Sequence, residues 1–293
     1  MSKQTKTKKS GAKARPHGYE IPSGWTGDVT EFDPRATPGF DGGKKQGKQL
    51  LAERSEKLSE LQERLYAAHH GADGGRSVLL VVQGMDTSGK GGIMRHVVGQ
   101  VDPQGVEIAA FKAPTAEEKK HDFLWRIRKR LPQPGLIGVF DRSHYEDVLI
   151  HRVHGWADAG EIRERYTAIN AFERELAKNG IAVIKVMLHI SHAEQGQRLM
   201  ERLERADKHW KFNPGDVDER SHWEDYMEAY TRALRATSTV GTPWHVIPAD
   251  RKWFARLAVQ QLLLDALEEI DPQWPVAEFD VAEQMERLRA TMA

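Results

Sequence analysis

The sequence of 293 residues predicts an α/β fold, a three-layer arrangement in which helices cover both faces of a parallel five-stranded sheet. Three observations predict this class. Short apolar segments bounded by turn residues alternate with longer segments that have helical spacing. The first apolar segment, residues 77–82, is uninterrupted, which is typical of a parallel strand buried on both faces. A glycine-rich loop then joins that segment to the next helical one.

Each element is predicted from its periodicity and its flanking turn residues. Residues 44–70 carry leucines at helical spacing, so we expect one long amphipathic helix that ends in the glycine-rich residues 71–75. The strands are expected at residues 77–82, 106–111, 136–140, 181–189 and 244–248. The further helices are expected at residues 89–101, 116–131, 159–178, 193–205, 216–239 and 251–270.

One domain accounts for most of the chain. Residues 44–272 contain all the predicted strands and long helices, and a segment dense in charge, about residues 198–222, is expected to form a helical lid. Residues 19–43 are rich in turn residues and are expected to be a loop-rich extension. Residues 1–18 carry six basic side chains before any acidic one and predict a disordered tail, which is either simply solvated or attracts a polyanion. Residues 273–293 form a separate C-terminal segment.

The composition narrows the class of protein. Apolar residues make up 39% and charged residues 29%, as in soluble globular proteins. No run approaches the roughly 18 apolar residues that span a bilayer, so a membrane protein is not expected. The first residues lack the apolar core of a secretory signal. The sequence has no cysteine, which excludes disulfides, thiolate nucleophiles and zinc–thiolate sites. These features favour a cytoplasmic enzyme.

The loop after the first strand predicts a phosphate-binding site. Residues 84–92, with the sequence GMDTSGKGG, match the pattern G-x-x-x-x-G-K between a strand and a helix. Glycines allow backbone N–H groups to turn toward a phosphate, and the following helix adds the positive end of its dipole. Lys90 supplies a mobile cation to the same phosphates. The other residues expected to bind phosphate or nucleotide in this loop are Gly84, Thr87, Ser88, Gly89, Gly91 and Gly92.

The same loop lacks the usual metal-binding hydroxyl. Gly91 stands where the pattern normally continues with Ser or Thr, whose hydroxyl binds Mg²⁺. We therefore expect the metal ligands to be carboxylates. Asp86 lies inside the loop, and Asp141 ends the apolar strand 136–140, where a Walker B aspartate would stand. Such oxygen ligands together with substrate phosphates suit Mg²⁺. Taken alone, Asp141 could instead cap the segment that follows it.

Two cations are expected at the same edge of the sheet. Arg142 directly follows Asp141, and Lys112 follows the second strand. Open α/β sheets bind their ligands at the carboxyl ends of the strands, so both side chains are expected to reach bound phosphate. The alternative for Arg142 is an arginine exposed in a loop.

The lid segment contains a basic helix face. Arg198, Arg202 and Arg205 follow the spacing i, i+4, i+7, and Lys208 and Lys211 continue the positive surface into a loop. Phosphoryl transfer requires neutralisation of charge on the transferring oxygens, which favours a lid that closes on phosphate. Arg202 and Arg205 are the expected contacts. Ion pairs with the neighbouring Glu201 and Glu204 are the alternative.

These motifs together resemble the polyphosphate kinase 2 family over roughly residues 33–267. The resemblance rests on GMDTSGKGG (84–92), DRSHYED (141–147), RLE (202–204) with KHWKF (208–212), and PW (243–244) with PAD (248–250). Glycine after the loop lysine is normal in that family. The resemblance implies a thymidylate-kinase-like P-loop fold and reversible, Mg²⁺-dependent transfer between inorganic polyphosphate and a purine nucleotide.

The resemblance also implies roles for individual residues. The metal would be held by Asp86 and Asp141, and the cations on the transferring phosphate would be Lys90, Arg142 and Arg202. Residues 121–126 and 143–147 look like those of the subgroup that accepts nucleoside monophosphates as well as diphosphates. Family members are commonly dimers or tetramers, so a homo-oligomer is implied, and a nucleic-acid partner is not expected.

The expected mechanism is direct in-line transfer without a covalent intermediate, because the acceptor phosphate is already anionic. Two alternatives stay open at this point. An ATP-dependent nucleoside monophosphate kinase would share most of these motifs, and a non-catalytic polyanion-binding module could use the basic tail. A GTPase is disfavoured because the chain has no Asn-Lys-x-Asp motif.

Overall fold

The computed structural model describes residues 15–69 and 75–292. Most of the expected basic tail, residues 1–14, and most of the glycine-rich break at residues 71–75 lie outside the described residues. From Arg15 onward the chain lies against the domain, and the Arg15 guanidinium is 3.2 Å from the Asp265 carboxylate.

The sheet has six strands among the described residues, so the expected number of five is wrong. Its order is β1-β6-β5-β2-β4-β3, and all neighbours are parallel except β1 and β6, which are antiparallel. The additional strand β1 comes from the expected loop-rich extension; it has only three residues, too few to show a period. The strands are β1 (Tyr19–Ile21), β2 (Ser77–Gln83), β3 (Val106–Ala110), β4 (Ile137–Asp141), β5 (Ile181–His189) and β6 (Trp244–Pro248).

Helices lie between the parallel strands and after the last one. The helices of the described residues are α1 (Lys44–Glu53), α2 (Ser55–His69), α3 (Lys90–His96), α4 (Trp125–Arg128), α5 (Ile150–Val153), α6 (Ala159–Lys178), α7 (His192–Glu204), α8 (Gly215–Arg220), α9 (Trp223–Thr237), α10 (Lys252–Ile270) and α11 (Val281–Thr291).

Four expected helices differ from these bounds. The one expected at 89–101 ends at His96 and is followed by a 3-10 turn at Val98–Gln100. The helix expected at 44–70 is divided at Arg54 into α1 and α2, and the one expected at 216–239 is divided between α8 and α9. The one expected at 116–131 is reduced to the four residues of α4. There the Asp122 carboxylate accepts a hydrogen bond from the Leu124 N–H at 3.0 Å. Such local bonds offer the backbone an alternative to the helix.

The core lies on both faces of the sheet, as expected for a three-layer fold. Every residue of β2 is buried. On one face, α6 and α9 contribute buried side chains such as Phe172 and Tyr230. On the other face, α2, α3 and α10 contribute side chains such as Leu58 and Phe254. Within the described residues, no helix combines the length and the apolar character that crossing a lipid bilayer requires.

The strand order determines where a ligand can bind. β2 lies between β4 and β5, and Val82 of β2 is aligned with Asp141 of β4. The loop after β2 and the turn after β4 therefore emerge side by side at the carboxyl edge of the sheet. In open α/β sheets this edge, where the connections diverge to opposite sides, is where ligands bind.

Candidate active site

The loop between β2 and α3, residues 84–92, has a backbone that only certain residues can adopt. Gly84 and Gly89 have φ angles of 149° and 116°, and Thr87 has a φ of 63° although it is not glycine. A Cβ on Gly84 would lie 2.7 Å from both the Leu188 carbonyl oxygen and the Ser88 hydroxyl oxygen, so no larger residue fits there. We call residues 84–92 the glycine loop.

The glycine loop presents unpartnered polar groups. Lys90 Nζ donates to the Gly84 carbonyl oxygen at 2.8 Å, which folds the lysine over the loop. The N–H groups of Thr87, Gly89 and Lys90 donate to no acceptor within the described part of the chain. The side-chain hydroxyls of Thr87 and Ser88 are buried and likewise have no hydrogen-bond partner there. Buried polar groups are usually paired, so these groups are available to a bound anion.

A cavity of about 430 Å³ lies beside the glycine loop, and two carboxylates line it. We call it the first cavity. Asp86 and Asp141 both line it. Asp86 Oδ1 accepts from Arg142 Nη2 at 3.0 Å, whereas the Asp141 carboxylate makes no hydrogen bond or ion pair among the described side chains. No group of three or more His, Asp or Glu side chains is arranged to hold a metal in residues 15–69 and 75–292. Asp86 and Asp141 could supply the one or two carboxylates that Mg²⁺ usually takes from a protein, with phosphate and water completing its shell.

Arg142 is held in an unusual backbone conformation beside these carboxylates. Its φ is 64°, and its guanidinium lies 3.6 Å from Glu146 in addition to the contact with Asp86. Burial opposes its charge, but Glu146 and Asp86 outweigh that effect and raise the pKa of Arg142. Burial also raises the pKa of Glu146. The guanidinium is thus charged and fixed in position, and a non-glycine residue in the left-handed region is common at functional sites.

The turn that carries Arg142 rests on a buried polar network. His144 and Tyr145 are both 0% exposed. Their side chains contact the Glu173 carboxylate, with Tyr145 Oη at 2.7 Å and His144 Nε2 at 3.3 Å, and Lys185 Nζ binds the same carboxylate at 2.6 Å. His144 and Tyr145 of the motif DRSHYED therefore position the turn from below and do not face the first cavity.

Cations surround the first cavity. Two of the expected ones, Lys208 and Lys211, lie in the 3-10 turn after α7. Four residues of this set, from the end of α3 and the start of α10, were not expected from the sequence. They could not be assigned to the site because the packing of α3 against α10 is a tertiary contact. The basic side chains that line the cavity are Lys90, Arg95, His96, Arg202, Lys208, Lys211, Lys252 and Arg256.

These cations are close enough to influence one another. Burial and the neighbouring Arg95 lower the pKa of Arg256. Burial lowers the pKa of His96, and Arg256 and Arg95 lower it further. The cavity therefore has an excess of positive charge that its own two carboxylates do not balance, which favours a ligand with several negative charges.

The other expected cations have different positions. Arg202 lines the first cavity and donates to Asp216 Oδ2 at 3.1 Å and to the Lys211 carbonyl oxygen at 2.9 Å. Arg205 is 48% exposed, pairs with Asp207 at 2.9 Å and Glu201 at 3.3 Å, and does not line the cavity.

Lys112, and His121 and Trp125 from the segment 121–126, are not among the residues that line the first cavity. The Lys112 carbonyl oxygen accepts a hydrogen bond from Arg126 at 2.8 Å. The rings of His121 and Trp125 stack on each other with centroids 3.9 Å apart.

The family model for Polyphosphate kinase 2 matches residues 42–275, which is most of the chain. The chain belongs to the polyphosphate kinase 2 family. It is therefore a kinase, and the matched range contains the glycine loop, the Asp141–Arg142 turn and the lid segment.

Two relatives and one solved structure of the polyphosphate kinase 2 family align over most of the chain. The AMP/ADP-polyphosphate phosphotransferase of Meiothermus ruber is 43% identical over 86% of this chain and 92% of its own. The ADP-polyphosphate phosphotransferase of Rhodopseudomonas palustris is 38% identical over 88% and 91%. The crystal structure of Polyphosphate Kinase 2 from Arthrobacter aurescens is 55% identical, with a TM-score of 0.88 over 94% of this chain and 95% of that one.

A second cavity, of about 240 Å³, adjoins the first in this member of the polyphosphate kinase 2 family. Asp86 lines both cavities, and Arg142 lines the second. Tyr226 and Tyr230 of α9 form its far wall. Burial raises the pKa of each tyrosine, assisted by Glu219 and Glu146 respectively, so both hydroxyls are neutral at physiological pH. Besides these two rings, the second cavity is lined by four carboxylates and a single arginine, so it is aromatic and acidic, in contrast to the cationic first cavity. Leu149 and Ile150 complete its apolar side.

Proposed function

We propose that this chain transfers the terminal phosphoryl group of inorganic polyphosphate to a purine nucleoside mono- or diphosphate, and that the reaction also runs in reverse. The observation that carries the proposal is the first cavity, where an excess of cations surrounds the glycine loop and two carboxylates. The names of the relatives supply the substrates, since they are AMP/ADP- and ADP-polyphosphate phosphotransferases. The sheet, the loop and Lys90 favour a P-loop kinase fold of the thymidylate-kinase type.

The donor is proposed to lie along the cations of the first cavity. Polyphosphate carries about one negative charge per phosphate, so a row of separate Lys and Arg side chains can each meet a different phosphate. Arg95 and Arg256 approach one another closely enough to lower the pKa of Arg256. This repulsion is relieved when a polyanion binds between them. A nucleoside would instead need an apolar surface at this position.

The acceptor nucleoside is proposed to occupy the second cavity. Asp86 lines both cavities, so an acceptor phosphate beside Asp86 and Arg142 can be adjacent to the donor and to the aromatic wall at once. Tyr226 and Tyr230 offer rings and neutral hydroxyls to a base. This arrangement brings the two reacting phosphates together at the glycine loop.

Asp86 and Asp141 are the residues that would hold Mg²⁺, which when bound neutralises phosphate oxygens and aligns donor and acceptor. The protein's own groups do the rest. Lys90 and Arg142 neutralise charge that develops on the transferring oxygens, and Arg202 approaches the same group from the lid. No side chain needs to remove a proton from the acceptor, because a phosphate oxygen is the nucleophile.

The test is a transfer assay that contains no ATP at the start. The purified protein is incubated with ADP or AMP, Mg²⁺ and polyphosphate of defined length, and products are followed by ³¹P NMR. We expect ATP from ADP, or ADP from AMP, and no product from the Lys90→Met variant. If AMP is phosphorylated only when ATP is the donor, the protein is a nucleoside monophosphate kinase. If polyphosphate binds without transfer, it is a polyanion-binding module.

A second assay tests the donor position. Lys252→Gln combined with Arg256→Gln removes two charges from the first cavity, so the KM for polyphosphate should rise roughly tenfold while the KM for ADP changes little. Lys178→Gln removes an exposed charge at the end of α6 and is the matched control. Equal effects on both substrates would reject this placement. The homo-oligomer implied by the resemblance is measured on the same sample by light scattering.

A further inference from the structure

Arg198 is a buried arginine of α7 that lines neither cavity around the glycine loop. It is 5% exposed, and each of its five N–H donors is used. Its Nε donates to Glu194 at 2.7 Å. Nη1 donates to the carbonyl oxygens of Thr87 and Ser88 at 2.9 and 3.0 Å, and Nη2 to those of Ala249 and Asp250 at 2.6 and 3.1 Å. A planar guanidinium is the side-chain group that can donate hydrogen bonds to four carbonyl oxygens at once.

Arg198 is one of several donors that bind the backbone carbonyl oxygens of the glycine loop. Gln195, one turn earlier on α7, donates to the Asp86 carbonyl oxygen at 3.4 Å. Lys90 binds the carbonyl oxygens of Gly84 and Met85, and the Gly89 carbonyl accepts from the Gly92 N–H. Every carbonyl from residue 84 to residue 89 is therefore occupied by a donor of the protein. A peptide whose carbonyl is held outward presents its N–H in the opposite direction. For the carbonyls of Asp86, Ser88 and Gly89 that N–H is one of the three without an acceptor among the described residues, whereas the N–H that shares a peptide with the Thr87 carbonyl donates to Met85.

The same arginine connects the loop to the lid. Its bonds to Ala249 and Asp250 reach the turn after β6. The Asp250 carboxylate in turn binds the N–H and the hydroxyl of Ser191 at 2.8 and 2.9 Å, which fixes the start of α7. Arg202 lies one turn beyond Arg198 on the same helix. The glycine loop, the end of β6 and α7 are thus held as one unit by a single side chain.

We infer that Arg198 is a positioning residue, which holds the Ser88–Gly89 peptide so that the Gly89 N–H faces the phosphate, and which sets the angle of α7 relative to the loop. The inference rests on the proposed phosphoryl transfer at this site. Arg198 touches no substrate, so its effect passes entirely through the loop backbone and Arg202. The backbone at Thr87 needs these hydrogen bonds, because its φ of 63° is unfavourable for a threonine and the bonds maintain it.

The test is Arg198→Lys, which keeps the buried charge but offers an ammonium point in place of a fork. Freed loop peptides misplace their N–H groups, and a displacement of about 1 Å can cost 10²-fold, so kcat should fall roughly 100-fold. The dissociation constant of tripolyphosphate, measured by calorimetry, should rise only about tenfold, because aligned N–H dipoles matter most in the transition state. Glu194→Gln is the matched control, since it removes the charge that pairs with Nε while all four carbonyl contacts stay. It should retain wild-type kcat and tripolyphosphate affinity.

A purely structural role gives a different result. It would lower the fraction of folded protein, and hence kcat, in step with the melting temperature, while the tripolyphosphate affinity of the folded molecules stayed as in wild type. That result, or wild-type kcat in Arg198→Lys, overturns the inference. If Arg198→Lys does not fold, the Glu194→Gln/Arg198→Met pair, which removes both charges together, takes its place with the same expectations. Tripolyphosphate binding needs no turnover, so it tests the inference even if the wild-type protein transfers nothing from polyphosphate, which would reject only the proposed function.

Discussion

The pair of Glu173 and Lys185 offers a quantitative test of how the buried network supports the site. Both side chains are almost fully buried, at 1% and 0% exposure, and their charged atoms are 2.6 Å apart. Burial opposes ionisation of Glu173, but Lys185 and the hydrogen bond from His144 outweigh it and lower the pKa of Glu173 to about 2. The carboxylate is thus ionised in the folded protein and depends on Lys185 to be so. Lys185→Met removes that partner and keeps most of the side-chain volume.

The cost of losing Lys185 follows from the burial of the pair. Removing one partner of a buried ion pair typically destabilises a protein by about 3–5 kcal/mol. The lowered pKa of Glu173 agrees in direction, because its partners outweigh the cost of burying its charge. A loss of about 3–5 kcal/mol in a chain of this size lowers the melting temperature by roughly 6–20 °C. We therefore expect Lys185→Met to melt within that range below the wild type.

Thermal unfolding followed by circular dichroism measures this cost. The informative comparison is the double variant Glu173→Gln/Lys185→Met, which leaves no uncompensated charge and should recover more than half of the loss. If the double variant is less stable than Lys185→Met alone, the two charges do not act as a pair and the reasoning is refuted.

Acid unfolding tests whether the charge of Glu173 stabilises the folded protein. The pKa of Glu173 is lower in the folded state than the ordinary 4.5, so its contribution to stability is present above pH 4.5 and is lost as the pH falls toward 2. In Glu173→Gln this part of the pH dependence should disappear.

Three further predictions concern the site. Asp141→Asn should lower kcat roughly 100-fold or more because a metal ligand is lost, with an unchanged melting temperature because the Asp141 carboxylate has no partner among the described residues; wild-type kcat would reject Asp141 as a ligand. His96 is held below its ordinary pKa of 6.5, so a bound polyanion should raise that pKa and take up a proton. The KM for polyphosphate should then increase as the pH rises through the pKa of His96 and the imidazole loses its charge. The His96→Gln variant should lack this pH dependence. Gly91→Ser should leave stability within about 0.5 kcal/mol, since a Cβ there meets no atom within 4 Å; a large loss of stability in the melting assay would contradict this.

The fold was predictable where the pattern is long and local. The strands expected at 181–189 and 244–248 and the helix expected at 159–178 have the bounds of β5, β6 and α6. β1 was not predictable, because three residues carry no period and its place beside β6 is a long-range contact. The loss of the helix around residue 120 accompanies a local side-chain bond, that of Asp122, which periodicity does not report.

The site was predictable where residues are adjacent in sequence to the motifs. Asp86, Lys90 and Asp141 were expected together, and all three line the first cavity. Arg95 and Arg256 were not expected there, because nothing in the sequence indicates that the end of α3 faces the start of α10. Arg198 shared the helical spacing of Arg202, but the spacing does not distinguish a side chain that is buried against the loop from one that faces the cavity.

The exchange of a loop hydroxyl for a carboxylate changes the electrostatics of the site as well as its ligands. The space beside Gly91 is open, so its missing hydroxyl is not imposed by packing. Asp86 adds a full negative charge near phosphates, which would by itself weaken anion binding. Arg142 offsets that charge at 3.0 Å. When an anionic phosphate binds, Asp86 and the phosphate compete for the same guanidinium, so substitution of Asp86 by Asn should strengthen phosphate binding and yet lower kcat. Opposite changes in these two quantities, measured by calorimetry and by the transfer assay, would separate the role of Asp86 in catalysis from its role in charge balance.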